Sequence, residues 1–447
     1  MNPRLTLASS VVGAVLVALD GTVLTIAQPT VQKDLGASFA EVQWTSTGYL
    51  IAVAALLVFA GRLADRYGHH RVFGIGMLGF GAASAGVAAA PGLGWMIGLR
   101  VAQGVFGALL QPATLGMLRA AFPPDRLRTP IAVRTAAIGV AAAAGPVVGG
   151  ALVAGPGWRV VFLLNVVPAL VLGVLALTVR PPRGASPVAL DLPGALLLAI
   201  TLACLVHALV ALPGRGWTAA TAAVAGAAFV RHERRTASPL LPPGVLGSAA
   251  VASALGMLVA ASAALSGTLF VGTFVLQGAF GLDPFRSALV SLPLALLMVL
   301  AAPSCAVLLR WAGARLTTGA AMTLLALGIL VLSRAAAVPA LCLGFALVGA
   351  GFGTVMVAAT HVVVREAARE HAGVAGGLQQ TAMNLGPVLG VALATALMGG
   401  GPGLPWGVLA ALALACAALG RLLPAGAGRT IDDHARSEDR TPVPARR

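Results

Sequence analysis

Fourteen apolar segments, set apart by short links rich in arginine, leave this chain few ways to fold. They run near residues 7–30, 43–61, 72–90, 95–118, 131–154, 160–179, 192–212, 217–230, 248–276, 287–309, 315–333, 338–361, 373–398 and 405–423. A helix needs about 20 apolar residues to cross a bilayer. Lipid cannot satisfy an open backbone, so each crossing must be helical. The eighth segment is the shortest and the least apolar. The expected fold is an all-α membrane protein with 14 transmembrane helices.

Composition agrees. Only 10% of the 447 residues are charged and mean hydropathy is +0.94, against about 25% charged in a soluble domain. A net charge of +15 on a soluble protein would suggest nucleic acid. Here the basic residues sit between apolar segments, which points to topology and to no nucleic-acid partner. All but one of the 29 basic residues are Arg, Lys33 being the exception, and the wealth of Ala, Gly and Arg is that of a GC-rich genome.

Charge also sets orientation. With both termini cytoplasmic, 22 of the 29 basic residues fall on the cytoplasmic side. Five (Lys33, Arg159, Arg215, Arg286 and Arg334) fall outside, and Arg100 and Arg134 lie within segments. That asymmetry obeys the positive-inside rule and requires an even number of crossings. The first segment is too long and too interrupted for a cleaved signal and is expected to remain. Residues 424–447 are polar and read as a disordered cytoplasmic tail.

Asp20 lies in the middle of the first segment. A carboxylate there costs roughly 2.5–3.5 kcal/mol on insertion scales, so it is expected to face a cavity or a partner and to carry function. Arg100, Gln103, Gly107 and Gln111 share one helical face, which cannot point at lipid cheaply. A nearby Arg lowers the pKa of an acid while burial raises it, a balance that could leave Asp20 titratable. No nucleotide-binding loop is present, and the only Lys is on the outer side. The four Cys (Cys204, Cys305, Cys342 and Cys416) have no metal-like spacing and read as packing residues. Paired His ligands and a Ser/His/Asp arrangement are absent. No metal, cofactor or catalytic residue is expected.

Several motifs remain. The link after the second segment reads Gly61-Arg62-Leu63-Ala64-Asp65-Arg66-Tyr67-Gly68-His69-His70-Arg71. The fourth segment holds Arg100-Val101-Ala102-Gln103-Gly104. The fifth holds Gly145-Pro146-Val147-Val148-Gly149-Gly150, where small residues permit close helix approach and Pro146 bends the helix. Trp158-Arg159-Val160-Val161-Phe162-Leu163-Leu164-Asn165-Val166-Val167-Pro168 follows it. The first segment contains Leu19-Asp20-Gly21-Thr22-Val23 and Ala27-Gln28-Pro29.

Together these resemble the 14-helix drug:proton antiporters of the major facilitator superfamily, over nearly the whole chain. The resemblance implies an N-terminal six-helix bundle (1–183), an extra helix pair (184–240), a C-terminal six-helix bundle (241–423) and the tail (424–447). It implies proton coupling through Asp20 and Arg100. An inner gate of Gly61, Asp65, Arg66, Gly68 and Arg71 would close against the start of the thirteenth helix, near Ala372–Gly373. His69 and His70 replace the family's usual basic pair. The antiporter helix would carry Gly145, Pro146, Gly149 and Gly150. The second half's gate link, Leu309–Arg315, lacks the carboxylate.

Gln28, Gln103, Gln111, Gln380 and Asn384 are candidate cavity residues. Phe106, Phe270, Phe274 and Phe352 read first as core, and His207 and His361 as structural. The expectation is a monomeric, proton-coupled exporter of a small organic compound in the bacterial cytoplasmic (inner) membrane, its partners being that compound, protons and lipid. An exporter of an endogenous metabolite is the alternative within transport. A non-transporting receptor or enzyme would show no substrate-dependent proton movement.

Overall fold

The structure is a computed structural model. It describes residues 3–123, 126–179, 191–210, 215–236, 239, 248–366 and 372–423, the side chains of 128, 210, 302 and 364–378 excepted. The tail 424–447 lies outside the described residues.

The described residues form helices and no strand. These are α1 (Pro3–Asp34), α2 (Phe39–Val42), α3 (Trp44–Tyr67), α4 (His69–Ala88), α5 (Leu93–Ala121), α6 (Arg128–Ala154), α7 (Trp158–Leu163), α8 (Val166–Leu177), α9 (Leu192–Val210) and α10 (Arg215–Glu233). They continue with α11 (Ala249–Phe274), α12 (Pro284–Arg334), α13 (Val338–Glu366), α14 (Ala372–Leu397) and α15 (Gly403–Ala417). Thirteen stretches among them are long and apolar enough to cross a bilayer. The weak eighth segment is α10, a helix of 19 residues and therefore about 28 Å long; it has the length to cross but is not among the thirteen that are also apolar enough. It packs along α9, and Phe229 joins Ala195 of α9 in a buried cluster with Leu56 and Phe59 of α3.

Segments ten and eleven form one helical run, α12, broken at Gly313 (φ 72°, ψ 170°). Only glycine adopts such a conformation without steric cost. Gly68 (φ 93°) ends α3 in the same way.

These two glycines belong to a pattern that covers the chain. The positive-φ residues described are six glycines. Gly36 and Gly281 are 245 positions apart, as are Gly68 and Gly313; Gly157 and Gly401 are 244 apart. Helix bounds keep the interval: α5 and α13 are both 29 residues long and begin at Leu93 and Val338. So does close packing. A Cβ on Gly104 would strike the carbonyl oxygen of Tyr49, and a Cβ on Gly349 that of Leu294. The same succession of helices therefore occurs twice in one direction, a parallel repeat. Contacts between the halves are reciprocal: α3 packs on α14, and α6 on α12.

Those contacts gather at the arginine-poor end. Ile51 and Ala54 of α3 share a cluster with Val388 and Ala392 of α14. The carbonyl oxygen of Ile26 accepts a hydrogen bond from Gln277 Nε2 at 3.0 Å, on the π-helical turn Val275–Ala279 that closes α11. Phe39 of α2 meets Phe274 edge to face, centroids 4.9 Å apart.

Candidate functional site

Asp20 is 3% exposed and Arg100 1%. Arg100 Nη1 donates to Asp20 Oδ2 at 2.5 Å and to Gln103 Oε1 at 2.6 Å. Gln103 Nε2 donates to Asp20 Oδ1 at 2.9 Å and to Ser84 Oγ at 2.8 Å. Asn165 Nδ2, from the turn between α7 and α8, donates to Asp20 Oδ1 at 3.1 Å. Arg100 Nε donates to the Thr45 carbonyl at 2.8 Å. Its guanidinium lies 4.4 Å from the Tyr49 ring centroid and 5.8 Å from that of Phe162. Residues of five crossings thus meet in one cluster around the carboxylate. A buried ion pair needs further hydrogen bonds to hold it; here both oxygens of Asp20 and the Nε and Nη1 of Arg100 have them.

Glycine makes the meeting possible. Gly104 brings α5 against the α3 backbone at Tyr49, where a Cβ would stand 2.5 Å from the Tyr49 oxygen. That approach carries Arg100, one turn earlier, to the Thr45 carbonyl. The repeat shows what is special about this half. At the interval of 245, Leu265, Phe345, Val348 and Ile329 replace Asp20, Arg100, Gln103 and Ser84, and all four belong to an apolar cluster. One scaffold carries a charged centre in one copy and an oily one in the other.

A cavity of about 230 Å³ lies beside the cluster, lined by Gly13, Ala14, Val17 and Ala18 of α1, Leu110 and Gln111 of α5, Arg134 and Ile138 of α6, and Gln380 of α14. Asp20 is not on its wall. At 100° per residue, Asp20 points about a quarter-turn away from the face formed by Gly13, Ala14, Val17 and Ala18. Of the expected cavity residues, Gln111 and Gln380 line this space. Gln103 belongs to the carboxylate cluster. Gln28 is buried and donates to Ser46 Oγ at 2.7 Å. Asn384 is buried with its Nδ2 unpartnered and is not on the wall. Gln379 donates to Thr360 Oγ1 at 2.9 Å.

The glycines of α6 form two contacts. A Cβ on Gly145 would strike Thr22 Oγ1, and one on Gly149 would sit 2.5 Å from Val23 Cγ1. On Gly150 it would sit 2.6 Å from the Pro284 oxygen of α12. α6, with Pro146 inside it, is therefore clamped between α1 and the second half.

At the other end, Asp65 has a side chain 57% exposed and its described partner is His69, Nε2 to Oδ1 at 3.6 Å. His69 in turn packs where Gly116 of α5 has no side chain. Gly61 lies in ordinary contact with Pro112. Arg66 stacks on Tyr67, 5.5 Å from its centroid, and Arg71 is exposed. The side chains near Ala372–Gly373, the expected partner of Asp65, lie outside the described residues. Arg62 Nη2 donates to the Pro239 carbonyl at 2.8 Å, tying this link to the connection between α10 and α11. His207 lies 6.2 Å from Trp217, centroid to centroid, and His361 is exposed. Phe270, Phe274 and Phe352 belong to the main apolar core, and Phe106 fills the space above Gly79.

Sequence reading missed Ser84, Thr45 and Tyr49 as partners in the cluster, and Asp34. The Asp34 carboxylate accepts from Trp158 Nε1 at 2.9 Å and Arg159 Nη1 at 2.8 Å. A signal existed: Asp34 is an acid just beyond the first apolar segment, and Trp158-Arg159 an indole and a cation at the same end. Ser84 carried none, being one small residue in an apolar run.

Comparison with known proteins agrees with the geometry. Residues 11–378 match the model of the Major Facilitator Superfamily. The chain is 40% identical over 411 residues to the tetracenomycin C resistance and export protein of Streptomyces glaucescens, covering 89% of this chain and 76% of that one. It is 33% identical over 398 residues to a probable actinorhodin transporter of Streptomyces coelicolor, covering 84% and 69%. Among solved structures, a POT family transporter in complex with 5-aminolevulinic acid superposes with a TM-score of 0.70 at 13% identity, covering 92% of this chain and 95% of that one. With its apolar helices, its parallel repeat and its match over most of its length, the chain belongs to the Major Facilitator Superfamily of membrane transporters.

Proposed function

We propose that this protein is a proton-coupled efflux antiporter that exports a small organic compound across the bacterial cytoplasmic membrane by alternating access. The observation that carries the reading is Asp20, a carboxylate held between helices of one half by Arg100, Gln103 and Asn165 while the next face of its own helix lines the cavity. Both termini are cytoplasmic in this reading, so the arginine-rich end faces the cytosol. The protein works as a monomer, without a cofactor and without enzymatic chemistry. Residues 1–183 and 241–423 are the two moving bundles and 184–240 the extra pair.

Gln111, Arg134 and Gln380 on the cavity wall lie within about 10 residues of the arginine-rich helix ends, or roughly 15 Å, and the contacts between halves lie towards the opposite end. That arrangement is inward-facing. Asp65, exposed and paired within its own half, is then the open half of an inner gate formed by Gly61, Asp65, Arg66, Gly68 and Arg71. A proton on Asp20 cancels its attraction to Arg100. The pair loosens, α1 is free to shift, and the cavity wall formed by Gly13, Ala14, Val17 and Ala18 shifts with it. Protons entering from outside supply about 2.3 kcal/mol per charge per 100 mV.

The names of the two relatives above, a tetracenomycin C resistance and export protein and a probable actinorhodin transporter, support export of such a compound. The test is transport by purified protein in liposomes carrying an imposed pH gradient, with tetracenomycin C and a panel of other aromatic antibiotics. Wild type is expected to move at least one compound with counterflow of protons, and Asp20→Asn to lose the dependence on the gradient. Gradient-driven transport of wild-type rate in Asp20→Asn would overturn the role of Asp20. Absence of any compound-dependent proton movement in wild type would overturn the antiporter reading.

A further inference from the structure

The cavity carries a charge that the proton-coupling cluster does not use. Arg134 stands on its wall. Its Nη2 donates to Thr114 Oγ1 at 2.9 Å, and that hydroxyl donates to the Gln111 carbonyl at 2.9 Å. Arg134 Nε is buried and has no partner. Among the described residues no carboxylate pairs with Arg134, and Asp20, the acid midway along α1, is taken up by Arg100, Gln103 and Asn165.

Arg134 is half-buried with its Nε shut away from solvent, and a cation so placed favours a partner of opposite charge. Arg100 and Asp20 cancel each other, so the cavity has a net positive wall. Gln111 and Gln380 add amides that can donate from two further helices. A guanidinium presents its N–H groups as a planar fork suited to a carboxylate or another oxyanion.

We infer that this cavity takes the anionic end of the transported compound, an organic oxyanion such as a carboxylate or an acidic phenolate, with Arg134 as its counter-ion. About 230 Å³ is less than the 300–1,000 Å³ or so of a pocket that swallows a drug-sized ligand. The charged group and its ring enter, and the rest of the compound extends along the opening between the halves. The class of cargo rests on the exporter reading; the anion site itself does not. An anion leaving while a proton enters moves two charges in the same electrical sense, so an interior-negative potential drives both.

The probes are 2-naphthoate and 2-naphthamide, alike in shape and different in charge, titrated against full-length protein in nanodiscs of phosphatidylcholine, where no anionic headgroup competes. Wild type is expected to bind the acid saturably and the amide at least about tenfold more weakly. Arg134→Gln should abolish the preference and Arg134→Lys retain part of it. Arg134 is only half-buried, so Arg134→Gln should melt close to wild type, and circular dichroism checks this. Equal binding of acid and amide by wild type, no saturable binding of the acid, or an undiminished preference in Arg134→Gln overturns the inference. The liposome assay separates the two readings. A charge preference without compound-dependent proton movement leaves the anion site standing and removes the exporter; proton-coupled transport without the preference does the reverse.

Discussion

Asn165 donates its amide to Asp20 across 145 residues of chain, at 3.1 Å, and it is the partner of Asp20 that comes from the turn between α7 and α8. A hydrogen bond to a charged group is worth about 1.5–3 kcal/mol, and Asn165→Ala removes this one while Arg100 and Gln103 stay on the carboxylate. The variant is expected to lose stability of about that size and to slow gradient-driven transport. Chemical denaturation in detergent and proton flux in liposomes measure the two, and wild-type values of both would show that Asn165 does not support the carboxylate.

The pair of Asp20 with Arg100 makes a second expectation about stability and coupling. Removing one partner of a buried ion pair strands the other, at a cost of about 3–5 kcal/mol. Asp20→Asn alone should melt well below wild type. Adding Arg100→Gln removes the stranded cation, and the double variant should recover most of that loss. Gradient dependence of transport, which the proposed role assigns to the carboxylate, should not return. Thermal unfolding followed by tryptophan fluorescence, read beside proton flux, tests both halves of the expectation. A double variant no more stable than the single one would mean that the pair is not the unit described here.

Much of this site was legible in the sequence because charge in an apolar helix has few explanations. Asp20, Arg100 and Gln103 stood out against their surroundings, and helical spacing put Arg100 and Gln103 on one face. The rest depended on rotation and depth, which spacing within one helix does not fix. The quarter-turn between Asp20 and the cavity wall placed Gln103 in the cluster and Gln111 on the cavity. Gln28 donates to Ser46 Oγ, a partner on another segment that spacing within the first segment does not name. The second half was faint for another reason. Its packing glycines persist, Gly313 and Gly349 among them, while Leu265 and Phe345 have replaced the charges that make the first half readable.

The glycines of α6 differ in what surrounds them, and that separates two kinds of substitution. A Cβ on Gly150 would press on Pro284 and Phe285 of the second half, whereas Gly139 has nothing within 4 Å. Gly150→Ala should push α6 from α12 and loosen the arginine-poor end, where the halves meet. The expected sign is a proton leak in liposomes without any transported compound. Gly139→Ala should leave transport unchanged and add up to about 1 kcal/mol of stability through helix propensity. A tight Gly150→Ala protein would mean that the seal lies elsewhere.

α1 is fastened to the α7–α8 region at two levels. At one, Asn165 reaches Asp20. At the other, Asp34 accepts from both Trp158 and Arg159. The two donors are not equal. Arg159 and Asp34 have side chains 45% and 44% exposed, and an exposed pair is worth about 0–1 kcal/mol. Trp158 is buried, and an orphaned buried donor costs about 1–3 kcal/mol. Trp158 also meets Phe162 edge to face at 6.2 Å, and Phe162 in turn flanks Arg100. Loosening Asp34 should therefore be felt at the carboxylate cluster through Trp158 rather than through Arg159. Arg159→Gln is expected to change stability by less than about 1 kcal/mol. Asp34→Ala should cost more, by about the value of the indole bond, and should slow transport as well. In a double-mutant cycle, Trp158→Phe should add little once Asp34→Ala is present, because the two share one interaction. Additive losses from these two changes, measured by chemical denaturation in detergent, would show that Asp34 and Trp158 support the fold independently.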